Sequence, residues 1–134
     1  MSIISMVLVV IISLFSGMEG ILDEFEIHQP LVSATLIGMA TGHLTEGIML
    51  GGSLQMIALG WANIGAAVAP DVALASVASA IIMVKGNNFT PTGISVAVAS
   101  AIPLAVAGLF LTMIVRTVSV CLLYTSPSPR DYAA

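Results

Sequence analysis

Residues 51–71 read GGSLQMIALGWANIGAAVAPD, and this stretch decides the fold of the 134-residue chain. It is apolar overall, but glycine interrupts it repeatedly and Pro70 ends it. A helix needs about 20 residues to cross the hydrocarbon core of a bilayer, and no unbroken helix of that length fits between these breaks. We therefore predict a re-entrant hairpin of two short helices that meet at an irregular tip around residues 60–65. Irregular backbone at membrane depth requires burial in protein or a polar cavity, so the stretch also predicts a cavity.

The composition places the chain in a membrane. Hydrophobic residues make up 58% of the sequence and charged residues 7%, whereas a soluble domain carries about 25% charged residues. This balance excludes a soluble enzyme, a secreted disulfide scaffold and a disordered segment. With a net charge of −4 the chain has no basic patch for nucleic acid. The single cysteine, Cys121, and the two histidines, His28 and His43, fit no familiar metal-ligand spacing, and we predict no cofactor.

Four further apolar stretches complete an all-α, polytopic transmembrane protein. Residues 3–18 predict a first span that continues toward residue 22, and no Lys/Arg region precedes it as in a cleaved signal peptide. Residues 31–50 predict a second span with two small-xxx-small patterns, which let helix backbones approach closely. Residues 72–84 predict a helix rich in alanine and serine. Residues 94–115 predict a last span, kinked at Pro103.

Two polar residues interrupt the predicted second span. His43 and Glu46 fall inside it, and charged groups in mid-membrane are costly. Either the span ends near Gly42, or these side chains face a polar interior. We favour a position at the membrane edge.

Polar side chains in the broken stretch carry the predicted function. A charge in mid-membrane costs at least about 2.5–3.5 kcal/mol and marks a partner, a cavity or a substrate. Gln55, Asn63 and Asp71 together offer the donors and acceptors that suit sugar hydroxyl groups, and the Trp61 indole could stack on a sugar ring. We predict these four residues as substrate-binding. An interhelical hydrogen bond for Gln55, an interfacial anchor for Trp61 and a helix N-cap for Asp71 remain alternatives.

An acidic stretch follows the first span. On a helix, Glu19, Asp23 and Glu26 share one face, which predicts an amphipathic turn at the membrane boundary with a solvated acidic face. His28 lies one helical turn from Glu24 and could hydrogen-bond it. Asp23, Glu24 and His28 are candidates for a supporting set behind the substrate-binding residues.

At this point the chain shows a family resemblance. Residues 51–71, with the VALASVAS that follows at 72–79, resemble the signature of the IIC subunit of the mannose/fructose/sorbose-type phosphotransferase system. The preceding GILDEFEIHQPL at 20–31 is similar to that family's first polar connection. The resemblance extends over about residues 3–120.

The resemblance implies sugar import across the bacterial plasma (inner) membrane. Such subunits pair with a IID membrane subunit of homologous fold and bind a hexose, which soluble IIA and IIB components phosphorylate during import. The chain would then be no enzyme by itself, and His28 and His43 would carry no phosphoryl group. In some bacteria such complexes also serve as receptors for peptide bacteriocins.

The resemblance also implies a domain organisation. Residues 1–120 match the N-terminal part of a longer membrane domain, because members of the family continue with further helices. Residues 121–134 are rich in proline and serine and resemble read-through peptides from vector or adapter sequence, so we predict a non-native or disordered tail. Glu46, Asn87 and Asn88 match no family role.

Two functions from other classes stay open beside the sugar transporter. The first is a small membrane assembly or receptor subunit, which would bind no sugar. The second is an ion channel or ion-coupled carrier that uses Asp71 or Glu46, which would need an ion gradient and no phosphoenolpyruvate.

Overall fold

Five helices form the described part of the chain. The structure, a computed structural model, describes residues 2–22, 25–61, 64 and 67–125. Within these ranges the only β pairing is an isolated bridge between Ile64 and Ala67. The prediction of an all-α protein is confirmed. The helices are α1 (Ile3–Leu22), α2 (Pro30–Thr41), α3 (Leu44–Ala58), α4 (Val72–Gly86) and α5 (Pro91–Thr125).

The first and last helices form where the apolar stretches predict them. α1 covers 20 residues from Ile3. α5 covers 35 residues and is, in the described ranges, the one helix long and apolar enough to cross a membrane. Pro103 lies inside α5, where it removes one backbone donor. α5 also runs across the predicted boundary at residue 120 as far as Thr125, and the origin of residues 121–134 stays a prediction.

The predicted second span, residues 31–50, is instead two antiparallel helices. Gly42 ends α2 with a φ of 82°, the left-handed conformation that favours glycine. The N–H of His43 donates to the Gly38 carbonyl at 2.8 Å, as at many helix C-termini. α3 then begins at Leu44. An end of the span near Gly42 is therefore confirmed. With 12 and 15 residues, α2 and α3 are each too short to cross a bilayer.

The prediction of a hairpin within residues 51–71 is wrong, and a hairpin of two short helices forms earlier in the chain. The chain builds the hairpin from α2 and α3, and its tip lies at His43 rather than near residues 60–65. Between Ala58 and α4 the described residues form a turn and non-helical backbone. Pro70 accounts for part of this difference, because the residue before a proline is biased away from the helical region.

The helices α2 and α3 are close enough for their backbones to touch. A Cβ atom built on Gly47 would lie 2.6 Å from the Ala34 carbonyl oxygen, and one built on Gly38 would lie 3.0 Å from the Gly47 Cα atom. Gly51 meets the start of α2 in the same way. Glycine in the small-xxx-small patterns thus permits the close approach that we predicted.

Small residues build the core between the helices. α2 packs between α3 and α4, α4 packs on α5, and α1 packs on α2 and α4. Among the described residues, Ile37, Leu50 and Met83 are the largest fully buried apolar side chains, and alanine fills most of the remaining core positions. The outer faces of α1 and α5 expose large apolar side chains, which is typical of helices in lipid. The buried alanines of α4 and α5 in the core are Ala75, Ala80, Ala97, Ala101 and Ala105.

Candidate functional site

Gln55 joins the two helices of the hairpin at the end opposite its tip. Its Nε2 atom donates to Gln29 Oε1 at 2.9 Å, and its Oε1 atom accepts from the Leu31 N–H at 3.4 Å. Gln55 and Gln29 are both half-buried. The interhelical hydrogen bond that the sequence left open is therefore present. It uses one of the two Nε2 hydrogens of Gln55.

Trp61 follows the turn that ends α3. The backbone N–H of Trp61 donates to the Ala58 carbonyl at 2.9 Å. Its half-buried side chain packs against the apolar core. The indole thus has protein on one side and is partly open on the other. This position suits both predicted roles, an anchor and a stacking surface.

Asp71 begins α4 and also contacts α5. Its Oδ1 atom accepts from the Leu74 N–H at 3.0 Å, which confirms the alternative of a helix N-cap. Its own N–H donates to the Ala105 carbonyl in α5 at 3.0 Å. The side chain lies against Gly108, where an added Cβ would come within 2.6 Å of the Asp71 Cβ. Asp71 therefore fixes the start of α4 against the middle of α5.

Three of the predicted residues lie outside the described residues. These are Asn63 among the substrate-binding residues, and Asp23 and Glu24 in the supporting set. The predicted hydrogen bond between His28 and Glu24 falls outside them for the same reason. His28 itself is half-buried in the connection between α1 and α2.

Gln55 and Asp71 belong to two separate polar contacts. The Gln55 side chain bonds the start of α2, whereas the Asp71 side chain caps α4 and rests on α5. A cavity of about 200 Å³ lies elsewhere, between the end of α4 and the start of α5. Gln55, Trp61 and Asp71 do not line it. Its polar lining residues are Asn88, Thr90 and Thr92.

Four buried serines, which sequence analysis missed, connect three helices. Ser16 Oγ in α1 donates to Ser33 Oγ in α2 at 3.4 Å. Ser76 Oγ in α4 lies 3.2 Å from the same atom and 2.9 Å from the Ala73 carbonyl, and its single hydrogen is shared between these two acceptors. Ser79 Oγ donates to the Ser76 carbonyl at 3.0 Å. All four side chains are fully buried. We call Ser16, Ser33, Ser76 and Ser79 the serine cluster. The i, i+3 spacing of Ser76 and Ser79 is its only signal in the sequence.

Glu19 corrects the prediction of a solvated acidic face. It is 6% exposed, and its Oε2 atom accepts from the Phe25 N–H at 2.8 Å. α1 ends at Leu22, and Glu26 has a φ of 56°, so the predicted helical face does not continue. The Glu19 carboxylate instead binds the backbone of Phe25, in the connection between α1 and α2.

The tip of the hairpin packs on the loop between α4 and α5. The His43 ring stacks on Phe89 with centroids 3.7 Å apart and an angle of 17° between the ring planes. Glu46 lies in the first turn of α3, where the helix dipole favours an acidic side chain. Asn87 ends α4 in the left-handed conformation, with a φ of 49°, which asparagine tolerates better than most residues. These contacts give Glu46 and Asn87 local structural roles.

Together, the apolar helices, the short helical hairpin and the polar groups buried between helices define an integral membrane protein. The sequence matches the family model described as "PTS system sorbose-specific iic component" over residues 3–126. The chain belongs to this family, the IIC components of the sorbose type of the phosphotransferase system. It is accordingly a protein of the bacterial inner membrane.

Known proteins agree with this assignment. The chain is 48% identical over 128 residues to the PTS system mannose-specific EIIC component of Escherichia coli K12, covering 96% of this chain and 47% of the relative. It is 42% identical to the sorbose-specific EIIC component of Klebsiella pneumoniae, covering 98% and 48%. The structure matches a cryoEM structure of the mannose transporter ManYZ in complex with microcin E492, with a TM-score of 0.84 and 46% identity, covering 100% and 52%. The chain thus spans about half the length of these proteins.

Proposed function

We propose that this chain is part of the sugar-binding and translocating membrane subunit of a phosphoenolpyruvate-dependent, mannose-type phosphotransferase system. The observation that carries the proposal is the 48% identity, over 96% of the chain, to a mannose-specific EIIC component. A fructose permease IIC component of Bacillus subtilis is 47% identical over 120 residues. These relatives support a hexose as the class of substrate.

Other components of the system phosphorylate the sugar. The subunit binds and moves the hexose together with a IID membrane subunit, while IIA and IIB carry the phosphoryl group from phosphoenolpyruvate to the sugar. The match to a mannose transporter supports the membrane partner. The stack of His43 on Phe89 supports a packing role for that histidine rather than a phosphoryl-carrying one.

Within this function, Gln55, Trp61, Asn63 and Asp71 form one wall of the hexose site. The half-buried amide of Gln55 and the half-buried carboxylate of Asp71 supply polar groups near the two ends of the connection between α3 and α4. Trp61 supplies an apolar ring surface within the connection. A sugar offers hydroxyl groups at its rim and C–H groups on its faces, and this combination of side chains can bind both.

Uptake measurements on the full-length subunit with its IID, IIA and IIB partners test the proposal. Asn63→Ala and Asp71→Ala are expected to abolish uptake of radiolabelled hexose without preventing membrane insertion. Ser53→Ala is the matched control, because Ser53 is exposed and bonds only to Met49 in its own helix. Wild-type uptake by both variants would contradict the site.

The same preparation separates the other functions. Uptake that follows a proton or sodium gradient and ignores phosphoenolpyruvate would identify an ion-coupled carrier. Absence of sugar binding by the complex in isothermal titration calorimetry would identify an assembly or receptor subunit.

A further inference from the structure

The orientation of the Gln55 amide is set by its neighbours. The Leu31 N–H is a backbone donor, so the Gln55 atom that faces it must be the oxygen. The amide nitrogen then faces Gln29, whose side chain must present its own oxygen in return. One fixed backbone donor thus defines the orientation of both amides.

The start of α2 explains why this arrangement forms. Gln29 is the N-cap residue of α2 but provides no capping side-chain bond, and Pro30 at the first helical position has no N–H. Leu31 therefore carries the first backbone N–H of α2, which has no partner inside the helix. Gln55 satisfies it from α3. The side chain of Gln29 accepts from Gln55 and makes no capping bond to its own helix.

We infer that Gln29 is a positioning residue for the proposed sugar site: its Oε1 atom holds the Gln55 amide so that the second Nε2 hydrogen is presented as a donor to a hydroxyl or ring oxygen of the hexose. This inference rests on the proposed function. It assigns the second Nε2 hydrogen of Gln55 to the ligand, while the Leu31 N–H uses one of the two acceptor sites of its oxygen. It also assigns a role to Gln29, which does not itself contact the sugar.

Substitutions of Gln29 that keep or remove the acceptor test the inference. In the full-length subunit with its partners, Gln29→Met keeps the length of the side chain and removes the oxygen. It is expected to raise KM for hexose uptake about tenfold, the effect of one lost hydrogen bond, with little change in maximal rate. Gln29→Glu keeps an acceptor facing Gln55 and is expected to stay within about twofold of the wild type. Ser53→Ala is again the control.

A double-mutant cycle distinguishes positioning from direct contact. If Gln29 acts through Gln55, adding Gln29→Met to Gln55→Met raises KM no further, because the effects of coupled residues are not additive. Should Gln29→Met fail to reach the membrane, Gln29→Asn keeps an amide that is one methylene shorter, and is expected to raise KM in the same direction.

The outcomes separate this inference from the proposed function. If Gln55→Met raises KM and Gln29→Met does not, Gln29 has no positioning role and the site stands. If Gln29→Glu is as impaired as Gln29→Met, the acceptor is not what matters and the inference fails. If Gln55→Met leaves KM unchanged, Gln55 is not part of the sugar site, and the inference fails together with that part of the proposal.

Discussion

Asp71 combines an observed structural role with a proposed binding role, and substitution can separate them. Its Oδ1 atom caps α4 through the Leu74 N–H. Asparagine is as good an N-cap as aspartate, whereas alanine in place of either costs about 1 kcal/mol. We therefore expect Asp71→Ala to lower the free energy of unfolding of the purified subunit by about that amount, and Asp71→Asn to leave it nearly unchanged. Thermal unfolding in detergent measures both values.

Uptake kinetics complete the comparison at Asp71. Hydrogen bonds to a carboxylate are stronger than those to an amide, so Asp71→Asn is expected to raise KM for the hexose about tenfold despite its stable fold. A stable Asp71→Asn variant with wild-type KM would leave Asp71 as a helix cap alone.

The structural role of Asp71 could be predicted from the sequence, whereas that of Glu19 could not. Asp71 was predictable as a cap because an aspartate after a proline and before an alanine-rich run is a local helix-start pattern. Glu19 was not, because its carboxylate is buried against the Phe25 N–H, six residues further along the chain. No helical or strand periodicity encodes that contact, and an acidic run is more often solvated.

Within the pair of α2 and α3, Gly47 packs tightly against the neighbouring helix and Gly52 does not. A Cβ on Gly47 would meet the Ala34 carbonyl at 2.6 Å, whereas a Cβ on Gly52 would meet nothing within 4 Å. Gly47→Ala forces α2 and α3 apart and is expected to lower the free energy of unfolding by about 1–3 kcal/mol. Gly52→Ala, the matched control, is expected to raise it by up to about 1 kcal/mol, because alanine favours the helix. Equal melting temperatures for the two variants would contradict the close packing of the hairpin.

The same two helices show why the position of the hairpin escaped prediction. His43 and Glu46 interrupt the apolar residues 31–50 and indicated an end near Gly42, but nothing in the spacing shows that a second helix turns back there and packs against the first. Only the structure shows it, through the left-handed φ of Gly42 and the pairing of Gly38 with Gly47. By contrast, α4 was predicted over residues 72–84 and forms over Val72–Gly86, because Asp71 and Asn87 mark its two ends locally.

For the molecule as a whole, composition was enough to predict a helical membrane protein. With 7% charged residues the chain cannot cover itself with a soluble surface, however it folds. The relative positions of the Gln55 and Asp71 side chains could not be predicted from composition. They depend on how α3, α4 and α5 pack, and small residues set that packing through distances that a sequence does not specify.

The serine cluster allows the packing of three helices to be tested, because the Ser33 hydroxyl in α2 contacts both α1 and α4. This hydroxyl donates to the Gln29 carbonyl at 2.8 Å, accepts from Ser16 at 3.4 Å and lies 3.2 Å from Ser76 Oγ. Interhelical hydrogen bonds in membrane proteins contribute about 0.6 kcal/mol on average and up to about 1.7 kcal/mol. Ser33→Ala is therefore expected to lower the free energy of unfolding by about 1 kcal/mol. Ser95 is exposed and bonds only to Pro91 in its own helix, so Ser95→Ala is the control and is expected to leave the free energy of unfolding unchanged. Thermal unfolding measures the difference, and Ser16→Ala added to Ser33→Ala should cost less than it does alone, because the bond is already lost. Fully additive losses would show that the three helices associate without this link.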